Sequence, residues 1–414
     1  MPRDSLRTRR QGPAKRLRAT LRRHGVVPRP TELRRMLRAQ DVRFSQGNAL
    51  TLYTEGRSGL EAMLEAIGRA SKRIHLETYL LRGDETGMRF LEALARRAEA
   101  GVEVRLLYDG IGSLGLDASH LAELRAAGGD AVAFNPLSRL YPRWAPRRRD
   151  HRKILVVDGE VAFTGGLNIG DEYLFGADYE GSGRTVWRDA HVQVSGPAVG
   201  MLEVVFLESW FRADGPDRPW LELPGAAPAG DAGESVAVVA DGPTYHRRRM
   251  RDLLITALGR AQERALLATP YFLPGRRLRM ALAAAARRGI RVELLTAGYS
   301  DHPMLRWAAR AILPELLVSG VRVFEFERSM MHAKAAVFDG SWAVLGTSNL
   351  DRQSLEHSYE VNLLVEGGGL PRKLSSMLEA DLEISRPVLA SELAVRPPLE
   401  RLRDRISAFF LSRF

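Results

Sequence analysis

The nineteen residues from His151 to Ile169, HRKILVVDGEVAFTGGLNI, recur 181 positions later as HAKAAVFDGSWAVLGTSNL, from His332 to Leu350. Eight positions are identical in register: His151/His332, Lys153/Lys334, Val156/Val337, Asp158/Asp339, Gly159/Gly340, Ala162/Ala343, Gly165/Gly346 and Asn168/Asn349. A buried core demands repeated apolar character, not a repeated His-x-Lys and a repeated Asn. Two copies of one polar set in a single chain therefore predict two structural halves whose half-sites meet.

The repeat reaches further upstream. FLEALARRAEAGVEVRLL (90–107) aligns without gaps on LRMALAAAARRGIRVELL (278–295), and IHLETYLL (74–81) matches ALLATPYFL (265–273), with Tyr79 and Tyr271 in equivalent places. Each longer block reads as an Ala/Leu/Arg helix stopped by Gly and followed by a buried strand. Each half thus runs helix, strand, helix, strand and then the His-x-Lys segment, an α/β layered architecture. PGAAPAGDAGE (224–234) lacks apolar periodicity and is the best linker. It separates a first repeat at 44–223 from a second at 235–395, and the two are expected to pack with pseudo-two-fold symmetry around a shared site.

Charge divides the chain differently. Residues 1–43 hold 14 Lys/Arg against Asp4, Glu32 and Asp41, which accounts for the whole net charge of +11. A basic arm is therefore attached to a neutral body. Such an arm suits nucleic acid, anionic lipid, or solvent alone. At 45% hydrophobic and 27% charged residues the body is globular. The lack of cysteine excludes disulfides, Fe–S clusters and thiolate nucleophiles. No stretch reaches the roughly 18 uncharged apolar residues of a bilayer span, and no apolar signal segment follows the basic start. The chain is expected in the cytoplasm, free or on a membrane surface. LSRLYPRWAPRRR (137–149), with five arginines and two prolines before His151, reads as a loop. In the C-terminal 396–414 segment, Leu399, Leu402, Ile406, Phe409 and Phe410 share one helical face. Packing that face on the body is the commoner outcome; lying on a membrane is the sharper one.

Strand periodicity puts His151 and Lys153 on one face, and the Asp-Gly pair predicts a two-residue hairpin that returns to deliver Asn168. The second copy does the same with His332, Lys334 and Asn349. An imidazole, an ammonium and a carboxamide together suit phosphodiester chemistry. Imidazole attacks phosphorus or moves a proton near neutral pH, while Lys and Asn hold the non-bridging oxygens where charge develops. Two sets place two histidines across one phosphate, one as nucleophile and the other as general acid. Asp158 and Asp339, as first turn residues, read as structural. Better acidic partners are Asp189 in WRDAHVQV and Glu360 in SYEVNLLV, each able to fix an imidazole tautomer. His24, His75, His120, His246 and His302 fall outside any constellation and read as surface or packing residues; His191 and His357 stay unassigned. Neither His-x-His nor His-Glu-x-x-His occurs, so no metal and no cofactor is expected.

At these residues the chain resembles the phospholipase D superfamily, whose signature H-x-K-x4-D-x6-G-x2-N is complete in both copies. The strings IHLETYLLRGDETG, RLLYDGIGS, RDHRKILVVDGEVAFTGGLNIGDEY, WRDAHVQVSGPAV and GTSNLDRQSLEHSYEVN are similar to the bacterial cardiolipin synthases over about residues 44–395. Members of that family commonly begin with two membrane-spanning helices, so the chain resembles a shorter subgroup, with the basic arm taking over attachment. The resemblance implies ping-pong phosphatidyl transfer that makes cardiolipin from phosphatidylglycerol and a second phospholipid alcohol. His151 would be the nucleophile and His332 the acid and base. Lys153, Lys334, Asn168 and Asn349 would hold the phosphoryl oxygens, and Asp189 and Glu360 would orient the histidines. Thr347 or Ser348, which stand where the first copy has Gly166 and Leu167, would add a phosphate contact on one side. The implied partners are phospholipids of an anionic membrane, met peripherally from the cytoplasmic side; no nucleic acid is expected. The alternatives are a phospholipase or nuclease using the same two histidines and, in another class, a non-catalytic scaffold, which the two intact copies disfavour.

Overall fold

The computed structural model describes residues 42–136, 148–176, 185–216, 233–243 and 248–411. Most of the basic arm, the 137–149 loop and the 224–234 linker lie outside these residues, as do His24 and His246.

The first half contains strand β1 (Phe44–Tyr53), helix α1 (Gly56–Arg69), β2 (Arg73–Thr78), α2 (Glu85–Glu99), β3 (Glu103–Asp109), α3 (Ala122–Ala126) and β4 (Asp130–Phe134). The hairpin of β5 (Ile154–Val157) and β6 (Val161–Gly165) follows, then β7 (His191–Ser195) and α4 (Ala198–Arg212). The second half repeats this with β8 (Glu234–Asp241), α5 (Arg249–Arg260), β9 (Arg264–Thr269), β10 (Phe272–Leu273), α6 (Arg276–Arg287), β11 (Arg291–Ala297), α7 (Pro303–Val318) and β12 (Arg322–Phe326). Its hairpin is β13 (Ala335–Phe338) and β14 (Trp342–Gly346), followed by β15 (Leu350–Asp351), α8 (Arg352–Glu356), β16 (Glu360–Glu366) and α9 (Leu370–Glu383). The chain closes with β17 (Arg386–Pro387), α10 (Ala390–Ala394) and α11 (Pro398–Leu411).

Fifteen of these strands form one mixed sheet, in the order β17-β12-β11-β9-β13-β14-β16-β8-β1-β7-β6-β5-β2-β3-β4. The antiparallel pair β8–β1 lies at its centre. Moving outward, β7, β6, β5, β2, β3 and β4 on one side mirror β16, β14, β13, β9, β11 and β12 on the other. The pseudo-two-fold axis therefore runs between β1 and β8. The four-residue strands β5 and β13 are buried throughout, as expected of continuous apolar runs covered on both faces. Helix α2 shows how the layers attach: the Asp84 side chain caps it by accepting from Gly87 N at 2.9 Å, and Phe90, Leu91, Leu94 and Ala98 form its buried stripe.

Each half is richer than the expected helix–strand–helix–strand. The strands β1 and β8, and the units α3–β4 and α7–β12, fall outside the aligned repeat blocks. Each hairpin also differs from a two-residue turn: Val157 pairs with Val161 and Phe338 with Trp342, so three residues turn the chain. Asp158 (φ 55°) and Asp339 (φ 50°) take the left-handed conformation along with the glycines that follow them. No described helix is long and apolar enough to cross a membrane.

Candidate active site

His151 and Lys153 immediately precede β5, and His332 and Lys334 precede β13. Backbone pairing across the two halves holds both segments. His151 N donates to Tyr359 O at 2.9 Å and Tyr359 N to Arg149 O at 2.8 Å. On the other side of the axis His332 N donates to Arg188 O at 2.7 Å and Arg188 N to Met330 O at 2.9 Å. Residue 360 thus arrives beside His151 and residue 189 beside His332. Each imidazole meets the carboxylate of the opposite half.

His151 Nδ1 lies 3.1 Å from both carboxylate oxygens of Glu360. His332 Nδ1 lies 2.6 Å from Asp189 Oδ2 and 3.2 Å from the Tyr173 hydroxyl. Both contacts use Nδ1, which leaves Nε2 of each ring for a substrate. Asp189 Oδ1 also accepts from Ala190 N at 2.7 Å. Burial and the charges of Lys153 and Lys334 push His151 well below the usual imidazole range. Burial and Lys334 bring His332 to about 4 against the pull of Asp189. The acids differ. Burial lifts Glu360 to about 8. At Asp189 the upward push of burial is outweighed by His332 and Lys334, and the carboxyl sits below its usual value.

Lys153 Nζ donates to His151 O at 2.9 Å and lies 5.3 Å over the Tyr79 ring, whose own centroid is 4.9 Å from that of His151. Lys334 Nζ donates to His332 O. Burial, with Lys334 beside it, brings Lys153 to about 7, and burial brings Lys334 to about 8. Asn168 Oδ1 accepts from Leu80 N at 3.3 Å and its Nδ2 donates to the Tyr173 hydroxyl at 2.9 Å. Asn349 is buried with its Oδ1 unpartnered. The charge of Lys334 acts on Lys153 and on both imidazoles, a concentration of positive charge suited to a single phosphodiester anion. Among the described residues no cluster of three or more His, Asp or Glu side chains is arranged to hold a metal ion.

Asp158 and Asp339 stand at the far end of the four-residue strands, seven residues beyond the histidines and roughly 20 Å away at ~3.3 Å per extended residue. Asp158 accepts from the backbone N–H groups of Ser71, Lys72 and Arg73 at 2.7–2.9 Å. Asp339 accepts from those of Gln262, Glu263 and Arg264 at 2.9–3.0 Å. Each ties its turn to the start of the neighbouring strand. The Thr347 hydroxyl donates to Glu360. Ser348 Oγ accepts from Asn362 Nδ2 at 2.7 Å.

Three site residues lie outside the two nineteen-residue copies. Tyr173 bridges His332 and Asn168, Trp187 packs its ring 5.0 Å from that of His332, and Tyr79 lies beneath His151 and Lys153. Tyr173 sits five residues after Asn168, where the second copy has Ser354, so extending the repeat past its last Asn would have exposed the pair. Gly166 is another such position. A Cβ there would lie 1.9 Å from Asp189 Oδ1, whereas its counterpart Thr347 bonds to Glu360. Of the remaining histidines, His75 is buried and stacks on Phe206 with centroids 4.6 Å apart, and His120 bonds to Asp117 at 2.8 Å. His191 is buried beside Gly165, its ring nitrogens unpartnered, and burial brings it to about 4.

Residues 63–180 and 254–382 match the family described as "Cardiolipin synthase, PLD-like domain", once in each half. A cardiolipin synthase of Alkalihalophilus pseudofirmus is 37% identical over 359 residues, covering 86% of this chain and 70% of that protein. One of Geobacillus thermodenitrificans is 34% identical over 366 residues, covering 88% and 72%. Among solved structures, the phosphatidylserine synthase of Haemophilus influenzae superposes with a TM-score of 0.71 at 14% identity, covering 93% of this chain and 100% of that one. The polyphosphate kinase of Porphyromonas gingivalis gives 0.53 at 14% identity, covering 94% and 57%. At such identities the structural likeness speaks for the fold alone.

Proposed function

This chain belongs to the cardiolipin synthase family of phospholipase D-like proteins and is an enzyme of the phospholipase D type, and from that premise we propose that it makes cardiolipin by transferring a phosphatidyl group from phosphatidylglycerol to the hydroxyl of a second phospholipid. The observation that carries the mechanism is the crossed pair of buried contacts, His151 with Glu360 and His332 with Asp189.

In the first step His151 Nε2 attacks the donor phosphorus. The bond from phosphorus to the glycerol oxygen breaks, and His332 Nε2–H gives that oxygen its proton. The anionic donor, seated between Lys153 and Lys334, offsets the charges that depress His332 and so favours its protonated form. In the second step neutral His332 takes the proton of the acceptor hydroxyl, whose oxygen attacks phosphorus as the bond to His151 breaks. Net charge and protons balance, with free glycerol the other product. The substrates place the enzyme on an anionic membrane, and we assign it the cytoplasmic face as a peripheral protein.

The test uses purified enzyme with head-group- and phosphate-labelled phosphatidylglycerol in mixed vesicles. Cardiolipin with one glycerol released per transfer is expected, together with an acid-labile phosphate label on the 151–168 peptide that is absent in His151→Ala. Phosphatidic acid as sole product would replace transfer by hydrolysis, and turnover surviving in both His151→Ala and His332→Ala would overturn the two-histidine reading.

A further inference from the structure

Helix α11 is buried the wrong way round for its sequence. The residues it turns inward are polar: Asp404 and Ser407 are buried against α7, Arg396 pairs with Asp404 and Glu400, and the Arg403 guanidinium lies 4.3 Å over the Trp307 ring. Its apolar stripe faces outward. Leu399 is 80% exposed, and Leu402, Ile406, Phe409 and Phe410 are 48–54% exposed. Among the described residues the expected packing of that stripe on the body therefore does not occur. A contiguous face of five large apolar side chains is unusual on a free surface and marks a contact with something apolar.

Beside this face lies a cleft of about 690 Å³ between α11, α7, the start of α6 and α8. Arg251, Arg276, Arg277, Arg279, Arg352 and Arg405 line it against a single carboxylate, Glu356. Glu356 is shared by Arg352 at 3.1 Å and Arg251 at 3.4 Å, while Arg279 turns to Glu315 at 3.4 Å. Phe409 forms part of the cleft wall, so the apolar face and the arginine cleft share an edge. Arginine forks suit phosphate oxygens. A surface that presents phosphates in a plane with hydrocarbon directly beneath matches both features at once. A nucleic-acid backbone would leave the apolar face uncovered. A second copy of the chain would bring one arginine cleft toward another.

We propose that the apolar face of α11 and the adjoining arginine cleft are the surface on which this protein docks to an anionic phospholipid bilayer. Leu399, Leu402, Ile406, Phe409 and Phe410 enter the acyl region, and Arg276, Arg277 and Arg405 hold lipid phosphates at its boundary. The choice of lipid over other anions rests on the proposed function. The position is apt: Leu273 and Arg352, on the cleft wall, belong to or follow the paired strands β10 and β15, which adjoin Tyr271 and Asn349 of the second half-site. Docking there sets the bilayer against one rim of the active site.

The test is co-sedimentation of the full-length protein with vesicles of phosphatidylcholine, alone or mixed with phosphatidylglycerol, at about 0.1 M and about 1 M salt. Leu402→Ser/Phe409→Ser/Phe410→Ser, all at exposed positions, should weaken partitioning roughly 100-fold at both salt concentrations. Arg276→Gln/Arg277→Gln/Arg405→Gln should weaken it about 10- to 100-fold at low salt, with the difference lost at high salt. Partitioning unchanged in both variants overturns the proposal. So does a concentration-dependent dimer in sedimentation velocity that the apolar variant abolishes. Transfer from dispersed short-chain phosphatidylglycerol, which needs no docking, should be unaffected in both. If that transfer is absent from the unaltered protein while vesicle binding behaves as described, the functional reading fails and docking stands; normal transfer with normal vesicle binding of both variants gives the reverse.

Discussion

Asp189→Asn separates the two histidines. The Asp189 carboxylate lies 2.6 Å from His332 Nδ1 in a fully buried position. With the charge centres ~4 Å apart and an effective dielectric constant of ~20, it stabilises an imidazolium by about 4 kcal/mol. The amide keeps the shape and loses that charge, so proton donation from His332 should slow by about 10³-fold. The effect must depend on the leaving group. Glycerol leaves as an alkoxide unless it is protonated, whereas an acidic nitrophenol leaves as its stable anion. Asp189→Asn should therefore lose about 10³-fold in transfer from phosphatidylglycerol, yet release a burst of nitrophenolate from phosphatidyl-nitrophenol within about tenfold of the unaltered rate. Glu360→Gln, which acts on His151, should slow both donors alike. Stopped-flow absorbance measures the burst, and thin-layer analysis of labelled lipid measures the transfer. A burst that survives in Glu360→Gln and disappears in Asp189→Asn would reverse the roles of the two histidines.

Three further outcomes are expected. Lys153 and Lys334 sit at about 7 and about 8 and must be charged to hold phosphoryl oxygens, so kcat/KM should fall as pH rises through that range. Lys153→Arg should carry the alkaline limb upward even while the maximum drops, and a limb that stays in place would count against the lysine assignment. Against the push of burial, backbone N–H groups of Arg73, Ser71 and Lys72 hold Asp158 below its usual range. Its contribution is therefore present above the unfolded value of about 3.9 and lost as pH falls through the folded one. Asp158→Asn should cost about 1–2 kcal/mol in urea melts at neutral pH and nothing in acid, with activity per folded molecule retained. Removing residues 1–43 should weaken binding to anionic vesicles at about 0.1 M salt and leave it unchanged at about 1 M; binding lost equally at both would show that the arm acts by more than its charge.

The sequence makes the site legible where chemistry repeats and obscure where geometry alone decides. His, Lys and Asn at a fixed register in two copies have no packing explanation, and both hairpins and the symmetric halves follow from them. The pairing of the acids has no linear signature. Glu360 is 209 residues from His151, and Asp189 is 143 from His332. Only the bridges of Tyr359 to the first His-x-Lys segment and of Arg188 to the second decide the partners. The Asp-Gly pairs suggested the turns but not their third residue, since the left-handed backbone that Asp and Gly supply also suits a longer loop. Helix α11 shows the opposite error: its periodicity names an apolar face correctly and says nothing about which face the body covers.

The crossed acids also distinguish the copies that the repeat makes look alike. A nucleophilic imidazole that attacks through Nε2 must shed the Nδ1 proton to leave an uncharged phosphohistidine. Glu360 faces that nitrogen with both carboxylate oxygens at 3.1 Å, and Thr347 donates to one of them. An imidazole that serves as acid and base needs instead a carboxylate that stays charged while the ring gains and loses its proton. Asp189 is held below its usual range, and Gly166 leaves it the space to lie against His332. The first half therefore lends its charged acid to the second histidine, and the second half lends its proton-accepting acid to the first. Neither half holds a complete catalytic pair. Exchanging Gly166 and Thr347 alone would clash at Asp189 without turning it into Glu360, because the asymmetry lies in the lengths of the acids as well as in their neighbours. On these grounds we propose that the attack belongs to His151 and the proton to His332.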